Sequence, residues 1–469
     1  MKITYFILLF FVCSIAGKAQ QEFTLQQCIE TALKNNIRLK QSQLSLASNA
    51  IDVKTSKAAL LPNVNGSFSE NFNFGRNIDP ISNTYISNST QSTNMGVNST
   101  VIVFNGFQLL NNLKLAKVNY NAAISDVAAL QNDLALQVAA SYLQLMYAED
   151  NLTNAKAQLE VTLSQRSRVE ILVKSGKLAE SMLYEQDAQK ANDEYNVQLA
   201  ENGIISARLS LIQLMELPAN TKYVIQRPNI ALPTTEAYDV NIIYEQSLGK
   251  RPEVKSAELR KEGALISQKM SMGAFYPRVS LSAGLNTLYS NKFKTYAGMT
   301  VIGEKIIGYT KSPFDTVFTT DYRVNYAPVK FGDQLNQNFG KYVTLGVTVP
   351  IFNNLKIYGS VQKSRINLMN QELNLLQTKN TLLKSIQQAI ADVEAAKAKY
   401  ESASKSLIAQ SNNFSNLELK YNQGFSSYLD YITAKNNKAR AEVNLQQAKY
   451  DLILKSKIID FYRGINITL

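Results

Sequence analysis

The sequence contains the same pattern twice, and this internal duplication limits the possible folds more than any other feature. Three landmarks of the first copy recur in the second: Pro62 as Pro277, Phe104-Asn105 as Phe352-Asn353, and Gly176 as Gly424. The prolines are 215 residues apart and the other two pairs are 248 residues apart. The copies therefore differ by one insertion of 33 residues, between the proline and the Phe-Asn pair of the second copy.

A coiled-coil pattern follows each Phe-Asn pair. Apolar residues recur mostly every three or four positions from Leu375 to Leu407, and eight of the nine positions 248 residues earlier are also apolar. Neither interval, 104–176 or 352–424, contains a proline. A helix filling most of one interval would be about 100 Å long, so each copy predicts part of a rod or tube. A separate two-stranded coiled coil would explain this pattern but not the strand-like segments beside it.

The apolar period changes from 3.6 to 2 within 63–104 and 278–352. In the clearest case Val343, Leu345 and Val347 alternate with threonine and glycine. We predict two strands in each copy, each of about 9–11 residues, which is the length of a tilted membrane-spanning strand. Four strands cannot close a barrel, and open edges in lipid leave backbone groups unpaired. Three copies would supply twelve strands, so we expect a trimer.

The remaining segments connect these elements. The polar stretches 75–94 and 291–341 are predicted to be external loops, and the second contains the insertion. A segment with prolines, 218–239, is predicted to link a first repeat at 20–217 to a second at 240–469.

The N-terminal segment 1–19 is predicted to be a secretory signal peptide. Lys2 precedes an apolar run over 3–15, and Gly17-Lys18-Ala19 provides small residues for cleavage after Ala19. An N-terminal membrane anchor is the alternative, although the run is short for a spanning helix.

Composition argues against an enzyme. The chain has no histidine, and a mature form would keep only Cys28 of its two cysteines, so the commonest general base, metal ligand and thiolate cluster are missing. The segment from Gly298 to Lys305 lacks the Lys-Ser/Thr that a phosphate loop requires. The net charge of +12 comes from scattered lysines, which we assign to solvated helix faces. We expect no catalytic residue, cofactor, metal or nucleic-acid partner.

Taken together, these features resemble the TolC-type outer-membrane efflux proteins over essentially the whole mature chain. The resemblance is carried by the Pro62 and Pro277 junctions, by Val-Pro-Ile-Phe-Asn at 349–353 with its counterpart at 101–105, and by the turns around Gly176 and Gly424. It implies an α+β membrane protein in which a duplicated, long α-helical coiled-coil tunnel in the periplasm continues a trimeric 12-stranded transmembrane β-barrel. It also implies that helices at 25–60 and about 180–215 lie end to end beside the first long helix.

The resemblance further implies that the two glycine turns lie at the periplasmic tip. Gly176 with Lys177, and Gly424 with Phe425, would then contact a periplasmic adaptor protein. In this family the tip also carries the closable entrance of the tunnel.

An acidic ring narrows the entrance in this family. Asp430, six residues after Gly424, matches its first acidic position, and Tyr421 matches a tyrosine three residues before the glycine. Thr433 and Met182 stand where further acidic residues would be expected, and Glu185 is a second acidic candidate. An ordinary solvated helix carboxylate is the alternative interpretation of Asp430.

These expectations define a passive export conduit of a tripartite efflux or type I secretion system. A homotrimer in outer-membrane lipid would be opened by the adaptor, and an inner-membrane transporter would drive export. A structural coiled-coil or adaptor protein of the periplasm is the alternative, but the four alternating strands argue against it.

Overall fold

The computed structural model describes residues 21–78, 81, 83–86, 89–221, 223–228, 230, 232 and 238–465. The predicted signal peptide lies outside these residues, and the predicted linker lies only partly within them. The chain divides into two compact units. One comprises the described residues of Met1–Ala50, Val118–Gly263 and Leu368–Leu469, and the other comprises those of Ile51–Lys117 and Ala264–Asn367.

The helices occur in the same order and with nearly the same lengths in both copies. The first copy contains α1 (Leu25–Asn35), α2 (Ile37–Ala58), α3 (Gln108–Lys174) and α4 (Ser181–Leu214), of 11, 22, 67 and 34 residues. The second contains α5 (Val240–Lys250), α6 (Pro252–Gly273), a short additional α7 (Phe331–Gln337), α8 (Lys356–Asn422) and α9 (Tyr428–Tyr462). Apart from α7 these have 11, 22, 67 and 35 residues. The prediction of one very long helix in each copy is confirmed.

Short sequence signals start the helices. The Thr24 hydroxyl accepts a hydrogen bond from the Gln27 backbone N–H at 3.1 Å, and the Gln27 side chain accepts one from the Thr24 N–H at 2.9 Å. This reciprocal pair is a capping box. The Asp239 carboxylate caps α5 in the second copy. Pro252 occupies the first position of α6, where a backbone N–H would have no acceptor within the helix, so proline loses no hydrogen bond there.

The ends of shorter helices meet inside the first unit, as the resemblance implies. Asn35 Nδ2, at the end of α1, donates to the Met215 carbonyl after α4 at 3.1 Å. The second copy repeats this joint, because Ser247 Oγ in α5 donates to the Tyr462 carbonyl of α9 at 2.7 Å. Burial nearby raises the pKa of the Cys28 thiol to about 12, so the thiol stays protonated at neutral pH.

The strands form one larger sheet and three small ones. They are β1 (Gln21–Phe23), β2 (Asn63–Asn73), β3 (Asn77–Ile78), β4 (Tyr85–Ile86), β5 (Thr90–Asn105), β6 (Tyr223–Ile225), β7 (Arg278–Ser290), β8 (Lys294–Tyr309), β9 (Thr316–Pro328) and β10 (Gly340–Thr348). Two strands of each copy make an antiparallel sheet in the order β10-β7-β5-β2, which confirms the predicted strand pairs. Among the described residues, β2 and β10 each pair on one side only.

This four-stranded sheet has one apolar face and one polar face. Cross-strand pairs such as Val343–Ala283, Leu345–Leu281 and Val97–Leu285 put apolar side chains on the same face. On the two outer strands the apolar side chains are 59% to 74% exposed. Serine, threonine, asparagine and glycine occupy most of the other face, where Tyr342 also lies, beside Gly284. Among the described helices, by contrast, none is both long and apolar enough to cross a bilayer.

The prediction of a loop at 291–341 is wrong. β8 and β9 pair antiparallel as a separate two-stranded ribbon, and α7 follows them. Tyrosine and threonine gave this segment the polarity of a loop, but both residues favour strands. The other predicted loop, 75–94, is also partly structured, because β5 begins at Thr90 and continues the pairing with β2 as far as Asn73.

Candidate functional site

The turns after the two long helices have the same backbone geometry. Gly176 and Gly424 have φ angles of +71° and +82°, in the left-handed region that glycine adopts without strain. After α3, the Lys177 N–H donates to the Leu172 carbonyl and the Gly176 N–H to the Val173 carbonyl, both at 2.9 Å. After α8, the corresponding bonds are Phe425 to Lys420 at 2.8 Å and Gly424 to Tyr421 at 3.1 Å. Both are Schellman motifs, so the predicted turns are confirmed.

The residues after the glycines are exposed. Phe425 is 80% exposed, and Lys177 at the matching place in the first copy is exposed as well. A side chain added at either glycine would meet no atom of the described residues within 4 Å. The glycines are therefore required for the chain direction, and the space around both turns is open to a partner.

A tyrosine cluster holds the α8–α9 turn together. Tyr421 stacks on Tyr431 with ring centroids 4.8 Å apart and an interplanar angle of 18°, and Tyr428 lies 6.1 Å from Tyr421. Tyr431 is buried against Phe414. Burial raises the pKa of Tyr428 to about 12, and it raises the pKa of Tyr421 as well. The structure thus places Tyr421, a predicted gate residue, in the packing of the hairpin.

Asp430 lies in the first turn of α9, where it is bonded to the residue that caps the helix. Its Oδ2 accepts a hydrogen bond from Ser427 Oγ at 2.6 Å, and Ser427 Oγ accepts one from the Asp430 backbone N–H at 3.1 Å. The bond from Ser427 Oγ is the largest of the effects that hold the pKa of Asp430 below its usual range. The side chain is exposed, so it presents a negative charge fixed at the N-terminus of the helix.

Glu185 lies on α4, near the tyrosine cluster. It is exposed, and its charge contributes to the raised pKa values of Tyr421 and Tyr428, after the larger effect of burial. The charge of Glu185 therefore acts on Tyr421, another of the three predicted gate residues. The hydrogen bonds that the described structure gives to the Asp430 side chain come from Ser426 and Ser427.

Sequence reasoning missed the contact that joins the two hairpins close to these turns. Arg168 Nη1, on α3, donates to Asn422 Oδ1 at the end of α8, with a distance of 2.5 Å. In the sequence, Arg168 is an arginine eight residues before Gly176, and nothing in the pattern reveals its partner.

A buried charged cluster joins three helices farther along α9. Lys435 Nζ lies 3.5 Å from Asp193 Oδ2 of α4, and the two side chains are only 3% and 4% exposed. Thr162 of α3 bonds to both charged groups, and Gln189 Nε2 donates to Asp193 Oδ1 at 2.9 Å. Burial lowers the pKa of Lys435, and the charge of Asp193 opposes this effect. The assignment of all lysines to solvated faces is therefore wrong for Lys435.

The fold is similar to the folds of several solved outer-membrane proteins. It is similar to CusC, with a TM-score of 0.76 and 16% identity over 95% of this chain and 93% of the other. VceC of Vibrio cholerae gives a TM-score of 0.75 and 15% identity, over 95% and 97%. CmeC of Campylobacter jejuni gives 0.74 and 19%, over 94% and 85%. At these identities the likeness establishes the fold.

The chain belongs to the outer membrane efflux protein family, whose model matches residues 28–215 and 243–457. These two matches fall in the two copies. The chain is also 21% identical to toxin and drug export protein A of Aggregatibacter actinomycetemcomitans, over 93% of this chain and 85% of that protein. It is 20% identical to the outer membrane efflux protein BepC of Brucella suis, over 94% and 85%. The protein is therefore located in the outer membrane, with an extension into the periplasm.

Proposed function

We propose that the chain is one of three identical subunits of a passive export conduit. Its four-stranded sheet would form one third of a twelve-stranded transmembrane barrel, and its long helices would form the wall of a periplasmic tunnel. The observation that carries the proposal is the sheet itself, which has two open edges and an exposed apolar face.

The open edges make a monomer unfavourable in lipid. β2 has 11 residues and β10 has 9, and in an edge strand every second residue directs its N–H and C=O away from the sheet. Each such group left unpaired in hydrocarbon costs several kcal/mol, so the two edges together would cost tens of kcal/mol. Pairing β2 of one subunit with β10 of the next removes this penalty around a closed ring.

The two faces of the sheet match the two sides of such a barrel. The apolar face, with Leu345 and Phe68, would contact lipid tails, and the polar face, with Thr344 and Ser282, would line an aqueous lumen. Most side chains of the polar face are small, which leaves room for a solute to pass beside Tyr342.

The glycine turns are the proposed site of contact with the periplasmic adaptor. The exposed Lys177 and Phe425 offer a cation and an aromatic ring beside backbones of equal geometry. Adaptor binding would open the entrance, with Asp430, Tyr421 and Glu185 as the proposed gate residues. An inner-membrane transporter would drive export. The names of relatives that export toxins and drugs support an export role.

The subunit count tests the proposal. The protein extracted from outer membranes should give the mass of three chains by native mass spectrometry, and it should form ion-conducting pores in planar bilayers. A stable monomer that conducts would overturn the proposal. Removing residues 294–328 is a useful comparison, because this change leaves all four strands of the proposed barrel intact.

A further inference from the structure

The ribbon formed by β8 and β9 has one apolar face and one polar face. The cross-strand pairs Tyr296–Tyr326, Met299–Val324, Val301–Tyr322 and Ile306–Phe318 put eight large apolar side chains on one face. The pairs Thr300–Arg323, Lys305–Thr319 and Gly303–Asp321 lie on the other. Irregularities in β8 adjust the register so that its apolar residues stay opposite those of β9.

The apolar face is uncovered in the single chain. Its eight side chains are between 37% and 62% exposed. Together they expose roughly 800 Å² of mainly apolar surface, more than the largest patch of a typical soluble monomer and similar to one side of a standard protein interface. A two-stranded ribbon is at best marginally stable alone in water. The structure therefore points to a partner on this face.

The base of the ribbon is fixed to the end of the four-stranded sheet. Gln334 of α7 is buried, and its side chain accepts from the Ser290 N–H and donates to the Ser290 carbonyl, both at 3.0 Å. Asn338 Nδ2 donates to the Leu288 carbonyl at 2.7 Å, and Phe331 packs on Tyr289 with centroids 4.9 Å apart. The ribbon thus starts from a defined place between the ends of β7 and β10.

We infer that the apolar face of each ribbon packs against the ribbons of the other two subunits. This inference rests on the proposed trimer. β10 is one of the two edge strands that must meet a neighbouring subunit, so the ribbon beside it starts next to that boundary. Threefold symmetry brings three ribbons to the same end of the barrel, each with an apolar face of the size that an interface needs.

The composition of the face fits a protein partner better than lipid. Three of its eight residues are tyrosines, which are enriched at protein interfaces because an apolar ring carries a polar end. The four strands of the sheet already provide the lengths needed to cross a bilayer. The ribbon forms a sheet of its own and pairs with none of these strands.

One charged residue interrupts the apolar face. Glu304 lies opposite Thr320, between the pairs Val301–Tyr322 and Ile306–Phe318. In a threefold arrangement the three Glu304 side chains stand at the same height and repel one another. Glu304→Gln should therefore strengthen the contact between ribbons. A face covered by lipid or left in water would show no such effect between subunits.

Cysteine substitutions on opposite faces of one strand test the inference. Tyr322→Cys lies on the apolar face, and Asp321→Cys lies beside it on the polar face; Cys28 is buried and serves as the background. In isolated outer membranes, a short bismaleimide should cross-link Tyr322→Cys between subunits but not Asp321→Cys. A bulky maleimide should label Tyr322→Cys about tenfold more slowly than Asp321→Cys, because a covered thiol reacts poorly. Adding Glu304→Gln should increase the cross-linked fraction.

Other outcomes would overturn the inference. Equal labelling of the two cysteines would show an open face, and slow labelling without cross-links would show a face covered by lipid or another molecule. Val324→Cys is a smaller change on the same face. It should give the same labelling and cross-linking results as Tyr322→Cys unless Tyr322→Cys misfolds. Native mass spectrometry of each variant distinguishes a failure of the ribbon contact from a failure of the proposed trimer. Three chains without ribbon cross-links would contradict this inference alone, whereas a single chain would contradict the proposed function.

Discussion

Lys435 and Asp193 form an ion pair, 3.5 Å from nitrogen to oxygen, in which both side chains are almost completely buried. The lysine belongs to the second copy of the repeat and the aspartate to the first, so the pair connects the α8–α9 hairpin to the α3–α4 hairpin. Any movement that separates these hairpins here must expose or separate two charges. Such a pair holds the two hairpins in one register at the expense of some stability.

Removing one partner should destabilise the protein strongly. Lys435→Met leaves Asp193 buried without its countercharge, and we expect a loss of about 3–5 kcal/mol. The double variant Lys435→Met, Asp193→Leu should recover most of this loss, because no buried charge remains unpaired. Thermal unfolding followed by circular dichroism measures both effects. The exposed pair Lys156–Glu201 provides the control, and Lys156→Met should change stability by less than about 1 kcal/mol. Equal effects at the two lysines would contradict the role assigned to burial.

A strained residue at the end of α4 predicts an increase in stability. Glu216 has a φ of +51°, whereas Gly464 occupies the same position after α9 with a φ of +75°. Glu216→Gly should stabilise the protein by about 1 kcal/mol, because glycine adopts this conformation without strain. Gly464→Ala should destabilise it, since the new Cβ would also lie 2.7 Å from Lys250 Cδ.

Gly203 provides the matched control for these two variants. It lies inside α4, and an added Cβ would meet no atom within 4 Å in the part of the chain that the structure describes. Gly203→Ala should therefore stabilise the helix by about 1 kcal/mol, the opposite of the effect at Gly464. The unfolding temperatures of Glu216→Gly, Gly464→Ala and Gly203→Ala, measured under the same conditions, test these three expectations. If Gly464→Ala were as favourable as Gly203→Ala, the left-handed turn would not be required.

Adjacent residues of β10 test which face of the sheet meets lipid. Leu345→Arg would put a charge on the apolar face and should destabilise the membrane-inserted form by about 2–4 kcal/mol. Thr344→Arg, one residue away on the polar face, should insert almost as well as the wild type. The folded fraction in lipid vesicles, read from heat-modifiable migration in gels, measures both. The proposed orientation would be reversed if only Thr344→Arg failed to insert.

The charge of Asp430 should favour cations at the entrance. Three copies around a narrow opening would create a concentrated negative potential, so Asp430→Asn should lower the cation-to-anion permeability ratio a few-fold in planar bilayers. Thr433 supplies no second acidic group, so we expect a moderate change. Glu401→Gln removes an exposed carboxylate from α8 and serves as the control. If both variants changed the ratio equally, Asp430 would be only a surface carboxylate.

The same residue predicts a pH dependence. The hydrogen bonds from Ser427 lower the pKa of Asp430 from its usual value of 3.8. A lowered pKa keeps the carboxylate charged to a lower pH than that of an ordinary aspartate, so the selectivity due to Asp430 should be lost only at a lower pH than an ordinary aspartate would allow. Ser427→Ala removes the bond, and the decline should then begin at a higher pH. Reversal potentials recorded in a pH series would show whether the two curves differ.

The sequence predicts the repeated elements well because each pattern occurs in both copies, so an interpretation of one copy can be compared with the other. The proline-free intervals anticipate both 67-residue helices, and the glycines mark both turns. The ribbon could not be inferred in this way, since the insertion has no counterpart in the first copy. The burial of Lys435 could not be predicted either, because its partners lie on two other helices, α3 and α4, that are distant in sequence. Periodicity identifies faces within one helix but cannot say which polar residues meet across several.

The equal geometry of the two glycine turns has a consequence for recognition by a partner. In the proposed trimer these turns number six, and their main chains are nearly interchangeable. A partner that bonds to the backbone would therefore encounter a pseudo-sixfold surface. The side chains are different, because Lys177 follows one glycine and Phe425 follows the other. A partner that recognises charged or aromatic side chains would encounter threefold symmetry, because cationic and aromatic positions would alternate around the circle of six turns.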